Sequence, residues 1–395
     1  MTITPRTWEV ARVALKLGLT SFGGPIAHLA YFRDEYVVRR RWLSEATYAE
    51  LVALSQLLPG PASSQLGIAI GTLRAGITGG VAAWLGFTLP SAVALMLFAG
   101  IVGNTDVSGA PWVHGLKLAA VAIVAHAVAM MWRSLAGDAP RSVIAIGAAL
   151  VAVVASTPLV QVALIAAGAL VGQLFLRAPA PTRSDPLRSP LPRPAAALFC
   201  GAFVALLFLL PVAATITRAP AIEAVEAFYR SGALVFGGGH VVLPLLHAAV
   251  VPSGWVTDHA FVAGYGAAQA VPGPLFAFAA YLGAVASVPP GGALGGIVAL
   301  AAIFLPSFLL VWGALPFWYD IRRSSRARHA LLGTNAAAVG ILLAAFYDPV
   351  WTSAVASVAD AAISLAALSL LLARLPAWSA VVACVVAAEA VRRVS

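Results

Sequence analysis

Charge is scarce in this chain. Only 10% of its 395 residues are Asp, Glu, Lys or Arg, and 61% are hydrophobic, where a soluble domain carries about a quarter charged residues. Cysteine is scarcer still. Cys200 and Cys384 lie far apart in apolar runs, which provides neither a disulfide framework nor a metal-ligand spacing. Catalytic signatures are missing too. The sequence has no nucleophile elbow, no His-Glu-x-x-His, no Gly-rich phosphate loop ending in Lys-Ser or Lys-Thr, and no paired-aspartate motif of membrane transferases. These absences exclude an ATP-driven pump within this chain and leave no enzyme, no cofactor and no metal to expect. The net charge of +9 comes from basic residues clustered between apolar segments, without the interleaved aromatics of a nucleic-acid surface. They therefore speak to membrane topology. Met1 to Leu15 contains Glu9 and Arg12 and lacks a small-residue cleavage site, so it does not read as a signal peptide.

What is present is apolar sequence, with a mean hydropathy of +0.93. About thirteen apolar segments can be drawn, near 7–32, 44–74, 77–103, 111–132, 142–156, 158–176, 195–217, 222–249, 257–286, 291–318, 329–347, 350–373 and 376–391. A Pro/Arg-rich strip, Arg177 to Pro194, is the one credible linker. The fold class expected is all-α, a polytopic integral membrane protein.

The segments form two series. Ser21-Phe22-Gly23-Gly24-Pro25 is answered by Phe236-Gly237-Gly238-Gly239, and Pro59-Gly60-Pro61 by Pro272-Gly273-Pro274. Trp42 matches Trp255, Gln56 matches Gln269, and Leu89-Pro90-Ser91 matches Leu305-Pro306-Ser307, with the offset drifting only from 213 to 218 across the half. An internal duplication of this kind defines the organisation. Residues 1–176 form an N-terminal repeat, 177–217 a connector with a linking transmembrane helix, and 218–395 a C-terminal repeat.

The first two segments of each repeat are nearly 30 residues long yet broken by Gly and Pro at the centre. Pro-Gly-Pro cannot continue a helix, because it removes backbone donors and clashes with preceding carbonyls. Each arm is then short of the roughly 20 residues a span requires. These segments are either tilted, broken helices or re-entrant hairpins. Charge bias favours hairpins. With the broken segments entering and leaving on one side, Arg6, Arg12, the Arg33–Arg41 cluster, Arg74, Arg133, Arg141 and Arg322–Arg328 fall in the cytoplasm, with Asp106, Asp258 and Asp348 outside. Arg218, Arg392 and Arg393 are exceptions. Either reading gives an odd number of crossings between repeat starts, so the two repeats have inverted topology, the plan of many secondary transporters.

A broken helix leaves unpaired N–H groups at the start of its second arm. In the absence of water these must be buried in protein or bind something, and they carry the positive end of the helix dipole. The four starts, after Gly24, Pro61, Gly239 and Pro274, form a candidate cradle for a small oxyanion. Lys16 and Arg230 occupy matching positions before the glycine breaks, each two turns along from a carboxylate, Glu9 and Glu223. Charges inside apolar segments are usually functional, although these two could also snorkel to the interface. Gln56 and Gln269 precede each Pro-Gly-Pro and could donate to an oxyanion or satisfy the broken backbone. Ser63 and Ser64 begin the arm after the first Pro-Gly-Pro, where Leu275 and Phe276 stand in the second copy, and they cap or bind. Lys117, matched by Asn335, is open between a substrate contact, a proton carrier and a carboxylate's partner. His240 and His28 titrate near neutrality, and Glu50 is a further proton-carrier candidate. The substrate-binding set expected from the residues is therefore Lys16, Ser21, Phe22, Gly23, Gly24, Gln56, Pro59, Gly60, Pro61, Ser63, Lys117, Arg230, Phe236, Gly237, Gly238, Gly239, His240, Gln269, Pro272, Gly273, Pro274 and Asn335.

Thr20-Ser21-Phe22-Gly23-Gly24-Pro25 with His28, the Trp42-Leu43-Ser44 entry, Gln56-Leu57-Leu58-Pro59-Gly60-Pro61 and their second copies together resemble the bacterial chromate ion transporters, in their long two-domain form. The resemblance covers nearly the whole chain. It implies a multi-pass protein of the bacterial inner membrane that exports chromate using the proton-motive force and confers chromate resistance. A sulfate or other oxyanion importer or exchanger is the alternative, since the two anions share shape and charge. The partners expected are such an oxyanion, the lipid bilayer and a second copy of the chain in a homodimer, and no nucleic acid. The resemblance assigns no residue to chromate, so the site set rests on the physical reading alone.

Overall fold

The computed structural model describes residues 4–22, 24–104, 110–155, 157–177, 189–236 and 239–394. Gly23, Gly237, Gly238, Asp106 and most of the Pro/Arg-rich strip lie outside them. Among the described residues the chain is helical, without strands. The first half comprises α1 (Pro5–Thr20), α2 (Gly24–Phe32) running into a π-helical turn Arg33–Arg39, α3 (Glu45–Leu57), α4 (Ala62–Asn104), α5 (Pro111–Leu135), α6 (Ala139–Val154) and α7 (Pro158–Phe175). Helix α8 (Arg193–Thr217) follows. The second half has α9 (Pro220–Ala233), a 3-10 turn Gly239–Val241 leading into α10 (Val242–Val250), α11 (Asp258–Ala270), a 3-10 turn Leu275–Ala277 leading into α12 (Phe278–Val285), and α13 (Gly292–Ala314). It continues through short α14 (Trp318–Arg323), α15 (Ser325–Ala345), the single turn α16 (Thr352–Ala354), α17 (Val358–Leu372) and α18 (Ala377–Val394). The segment expected at 350–373 is thus interrupted at 355–357, where Ser357 and Asp360 form a capping box that starts α17 afresh.

Local chemistry sets these boundaries. Ser44 and Thr257, offset by 213, cap α3 and α11 by accepting from the N–H groups of Thr47 and Ala260. Proline opens α1, α5, α6, α7, α8 and α9, where its missing donor costs nothing. Ala75 and Gly76 leave helical geometry inside α4, Gly76 at φ 67°, so that helix is two arms, 62–74 and 77–104. Five of the described helices are long and apolar enough to cross a bilayer, and the chain is a multi-pass membrane protein. Helix α8 is barely buried by the rest of the protein, at 6% of its apolar window. It presents Leu198, Phe208, Leu209 and Ile216 outward, as a lipid-facing helix does.

The broken segments are hairpins. In the first, Lys16 meets Glu35 at 2.7 Å and Glu9 meets Arg40 at 3.7 Å, so the chain after the glycine break runs back along α1. In the second, Arg74 at the end of the first arm of α4 stacks over Trp42, 4.9 Å from its ring centre and just ahead of α3. It also bonds Glu9 at 3.0 Å. Both hairpins therefore start and finish at one end of the molecule, which we call the base, with the Gly and Pro breaks at their tips. In the second half, Ser287 after α12 donates to the carbonyls of Trp255 and Gly254 ahead of α11, closing the matching hairpin at its own base.

The long helices relate the two bases. Along α4, Gly79 packs against Gly71 at the first base and Ser91 lies beside Gly273, while Phe98 stacks near Tyr281. Along α13, Gly295 packs against Gly283 at the second base and Ser307 lies beside Gly60, while Trp312 donates to Thr72 at 3.0 Å near the first base. The two hairpin pairs thus enter from opposite ends and meet tip to tip. Twelve residues separate Gly79 from Ser91 and Gly295 from Ser307, a rise of about 18 Å, or roughly half the hydrocarbon thickness. The remaining helices exchange partners. Gly115 of α5 packs on Cys384 and Val385 of α18, and Gly333 of α15 packs on Gly168 and Gly172 of α7. Small residues at these crossings let backbones touch, which is how helices associate without a hydrophobic driving force.

Candidate functional site

Two backbone hydrogen bonds join the four breaks. The Gly60 N–H donates to the Val235 carbonyl at 2.7 Å, and the Gly273 N–H donates to the Ser21 carbonyl at 3.0 Å. Each Pro-Gly-Pro tip thus docks on the glycine break of the opposite half. Both central glycines need their lack of a side chain. Gly60 sits at φ 125° and Gly273 at φ 104°. A Cβ on Gly60 would come within 2.9 Å of the Ser307 hydroxyl, and one on Gly273 within 2.8 Å of the Ser91 hydroxyl. Pro90 and Pro306, one residue before these serines, lie inside α4 and α13, and each removes a helical donor at the same depth.

The junction holds buried polar atoms without a hydrogen-bond partner, namely the Ser21, Ser64, Thr88 and Ser307 hydroxyls and Gln65 Oε1, with the buried His28 imidazole beside the Ser21 backbone and Gln269 beside the Tyr265 hydroxyl. Unpaired buried polar atoms cost about 1–3 kcal/mol each and call for an explanation. The arm starting at Ala62 adds backbone donors. Its Gln65 N–H bonds the Pro61 carbonyl, while the N–H groups of Ala62 to Ser64 have no acceptor within the helix. Gln65 Nε2 ties down the Pro59 carbonyl at 2.6 Å. The two sides are unequal. Ser63, Ser64 and Gln65 are buried where the first tip begins its second arm, whereas Phe276 fills the equivalent place in the second half. The groups at the junction are hydroxyls, amides, backbone N–H groups and the His28 imidazole, with no Lys, Arg, Asp or Glu side chain among those named.

Several expected residues meet here: Ser21, Pro59, Gly60, Pro61, Ser63, Pro272, Gly273 and Pro274, with Phe22, Gly24 and Phe236 beside them in the chain. Gln269 is half-buried, whereas Gln56 is exposed on α3, so the matched pair is unequal. His240 Nδ1 is 2.7 Å from the Tyr265 hydroxyl. Lys16 is half exposed in its ion pair with Glu35, and Arg230 is held by Glu226 on its own helix. Carboxylates, not the breaks, are what these two cations touch. Lys117 Nζ lies 3.0 Å from both His259 Nδ1 and the Ser353 carbonyl, and Asn335, its counterpart on α15, is buried with Oδ1 unpartnered. Glu50 accepts from the Trp318 indole at 2.8 Å. Among the described residues no group of three His, Cys, Asp or Glu could hold a metal.

In the sequence Ser91 and Ser307 stand only as marks of the repeat, and Ser64 is open between capping and binding. The available signal was a hydroxyl after proline in the middle of an apolar run, present twice at one offset.

The profile of a family described as "Chromate transporter" matches residues 8–173 and 222–389. A chromate transport protein of Pseudomonas aeruginosa is 29% identical over 340 residues, covering 85% of this chain and 79% of the relative. A probable chromate transport protein of Synechococcus elongatus is 28% identical, with 85% and 83% covered. An uncharacterized transporter of Methanocaldococcus jannaschii is 26% identical over 86% of this chain and 83% of its own. No solved structure matches.

Proposed function

The chain belongs to the chromate transporter family, and on that footing we propose that it is a secondary active transporter exporting chromate across the bacterial inner membrane. Export is coupled to the proton-motive force and confers chromate resistance. The observation that carries this reading is the tip-to-tip junction. Two Pro-Gly-Pro turns and two glycine breaks from oppositely directed halves interlock there by the Gly60 and Gly273 hydrogen bonds. Unsatisfied hydroxyls and amides surround them, at roughly mid-depth.

A tetrahedral dianion presents four acceptor oxygens. Neutral dipoles converging in a low-dielectric site stabilise it without a counter-charge that would trap it, and a transported guest must also leave. We assign the binding surface to the N–H groups of Ala62 to Ser64, the Ser63, Ser64 and Ser307 hydroxyls, and Ser21 and Gln269 on the opposite tip. Helix starts aimed at an anion near the midplane, at the interface of inverted repeats, form the transporter arrangement. In alternating access one half rocks against the other about the junction, and the exchanged α5–α18 and α15–α7 contacts tie each half's rim helices to its partner.

The test is uptake of labelled chromate into inverted membrane vesicles, with and without an uncoupler and with excess sulfate. The account expects saturable uptake that the uncoupler abolishes. Equal competition by sulfate would transfer the assignment to a general oxyanion exchanger, and uptake that neither saturates nor responds to the uncoupler would overturn the transporter reading.

A further inference from the structure

A group of titratable side chains lies away from the junction, around the N-terminal end of α11. Lys117 on α5 is 3% exposed. Its ammonium donates to His259 Nδ1 and to the Ser353 carbonyl, each at 3.0 Å, with no carboxylate in direct contact among the described residues. Asp258 precedes His259 in the first turn of α11 and holds His247 of α10 at 2.7 Å. His114, one turn before Lys117, holds Asp360 of α17 at 2.7 Å, and Asp360 also caps its own helix through the Ala356 and Ser357 N–H groups. The other titratable groups on these elements include Tyr281 of α12, which donates to the Ala260 carbonyl, Asp348, which accepts from Thr352, and buried Cys384 of α18 beside Gly115. His126 and Arg133 lie further along α5, Tyr265 along α11 and Glu389 along α18, and Tyr347 precedes Asp348. A cavity of about 30 Å³, lined by Gln161, His247 and Asp348, adjoins the cluster, enough for one water. His259 itself is exposed.

We propose that the Lys117–His259 hydrogen bond is a proton-operated latch, the point where the coupling proton enters the transport cycle. The chemistry is a single proton binding. In the latched state His259 carries its hydrogen on Nε2, and the Nδ1 lone pair accepts from Lys117. A proton arriving from solvent occupies that lone pair. Two donors, both cationic, then face each other 3.0 Å apart, and the bond must break. Asp258 and Asp360 supply the compensating charge that lets both cations coexist once separated. The opening is felt at the junction because α11 connects the two places. His259 lies in its first turn, Gly266 packs against the α5 backbone at Leu116, and its C-terminal end runs into Pro272-Gly273-Pro274, which docks on Ser21. Thirteen helical residues carry the displacement over about 20 Å. The repeat-related pair of positions has no counterpart, since Ala46 of the first half and Asn335 of the second stand there. One proton site per transporter follows.

The use of the latch rests on the transport reading; its chemistry does not, and the test separates the two. His259→Gln keeps an acceptor for Lys117 but cannot be protonated. In the first arm, hydrogen exchange of the 258–262 amides is followed from pH 8 to pH 5 in purified protein, corrected for intrinsic rates. Wild type is expected to lose protection as the pH falls below the ordinary histidine value of about 6.5, because the Lys117 charge and burial oppose protonation of His259, and His259→Gln to stay protected. A pH-independent wild type, or a variant that opens like wild type, overturns the latch whatever the transport assay gives. In the second arm, chromate uptake into inverted vesicles is measured against lumen pH. The wild-type rate is expected to change by up to about tenfold per pH unit, as one titrating proton permits, and His259→Gln to lose that dependence while retaining downhill chromate exchange. A variant with the wild-type lumen-pH profile overturns the coupling role. A wild type that moves no chromate at all refutes the transport reading instead, and the exchange arm still decides the latch.

Discussion

Glu35 illustrates what single residues settle in this protein. It lies in the π-helical turn at the first base, outside the spanning helices, with a side chain only 5% exposed, and three cations converge on it: Lys16 at 2.7 Å, Arg40 at 2.8 Å and Arg39 at 3.9 Å. Burial opposes its ionisation, yet the hydrogen bonds from Lys16 and Arg40 outweigh burial and hold the carboxyl below its ordinary range. A carboxyl depressed on folding contributes stability above its unfolded value, about 4.3, and that contribution is lost as the pH falls through the lower folded value. Glu35→Gln should therefore destabilise the protein at pH 7 by about 1–3 kcal/mol, the worth of charge-assisted hydrogen bonds to a buried carboxylate whose cationic partners remain partly solvated. The difference between variant and wild type should shrink on acidification below about pH 4. Thermal unfolding in detergent at neutral and acid pH checks both, and a pH-independent difference would show that charge pairing is not the cause. The sequence made Lys16 visible as a charge in an apolar segment, but it could not supply the partner. Two turns back on the same helix lay Glu9, and only the fold-back at the glycine break brings Glu35, nineteen positions on, into contact.

Among elements, the hairpins are where sequence and structure agree most closely. Gly and Pro breaks, together with the side on which the arginines fall, already favoured re-entry over crossing. The turns at the bases were less visible, since α4 reads as apolar sequence straight through Ala75 and Gly76 until their backbone angles are known. What fastens each Pro-Gly-Pro hairpin to the long helix that follows it is backbone contact at paired glycines, Gly71 with Gly79 and Gly283 with Gly295. Gly79→Val drives a side chain into the Gly71 carbonyl and should abolish a monodisperse peak in size-exclusion chromatography. Gly147→Ala, in open space on α6, should leave the profile unchanged. Equal behaviour of the two variants would show that close packing of the arms is dispensable. The exchange of α5 and α15 between halves was not legible at all, because apolar periodicity says that a helix is buried and not which helix buries it.

At the scale of the whole molecule, the tips of the two halves meet at a junction that holds unpartnered buried polar atoms, and the proposed function reads those atoms as the binding surface. The duplication, its offset and the identity of the breaks were readable from one sequence. The depth at which Ser307 of one half reaches Gly60 of the other was not, because that contact depends on the tilt of α13 across the interface. This contact between halves also separates the account from its rivals, since an anion held by Lys16 or Arg230 alone would not sense Ser307. Equilibrium binding of chromate to purified protein, comparing wild type with Ser307→Ala and confirming equal thermal stability, tests it most directly. The account predicts that Kd rises about tenfold with the loss of one donor to a charged guest. Chromate binding of wild-type strength by a correctly folded Ser307→Ala would contradict a site built where the two halves meet.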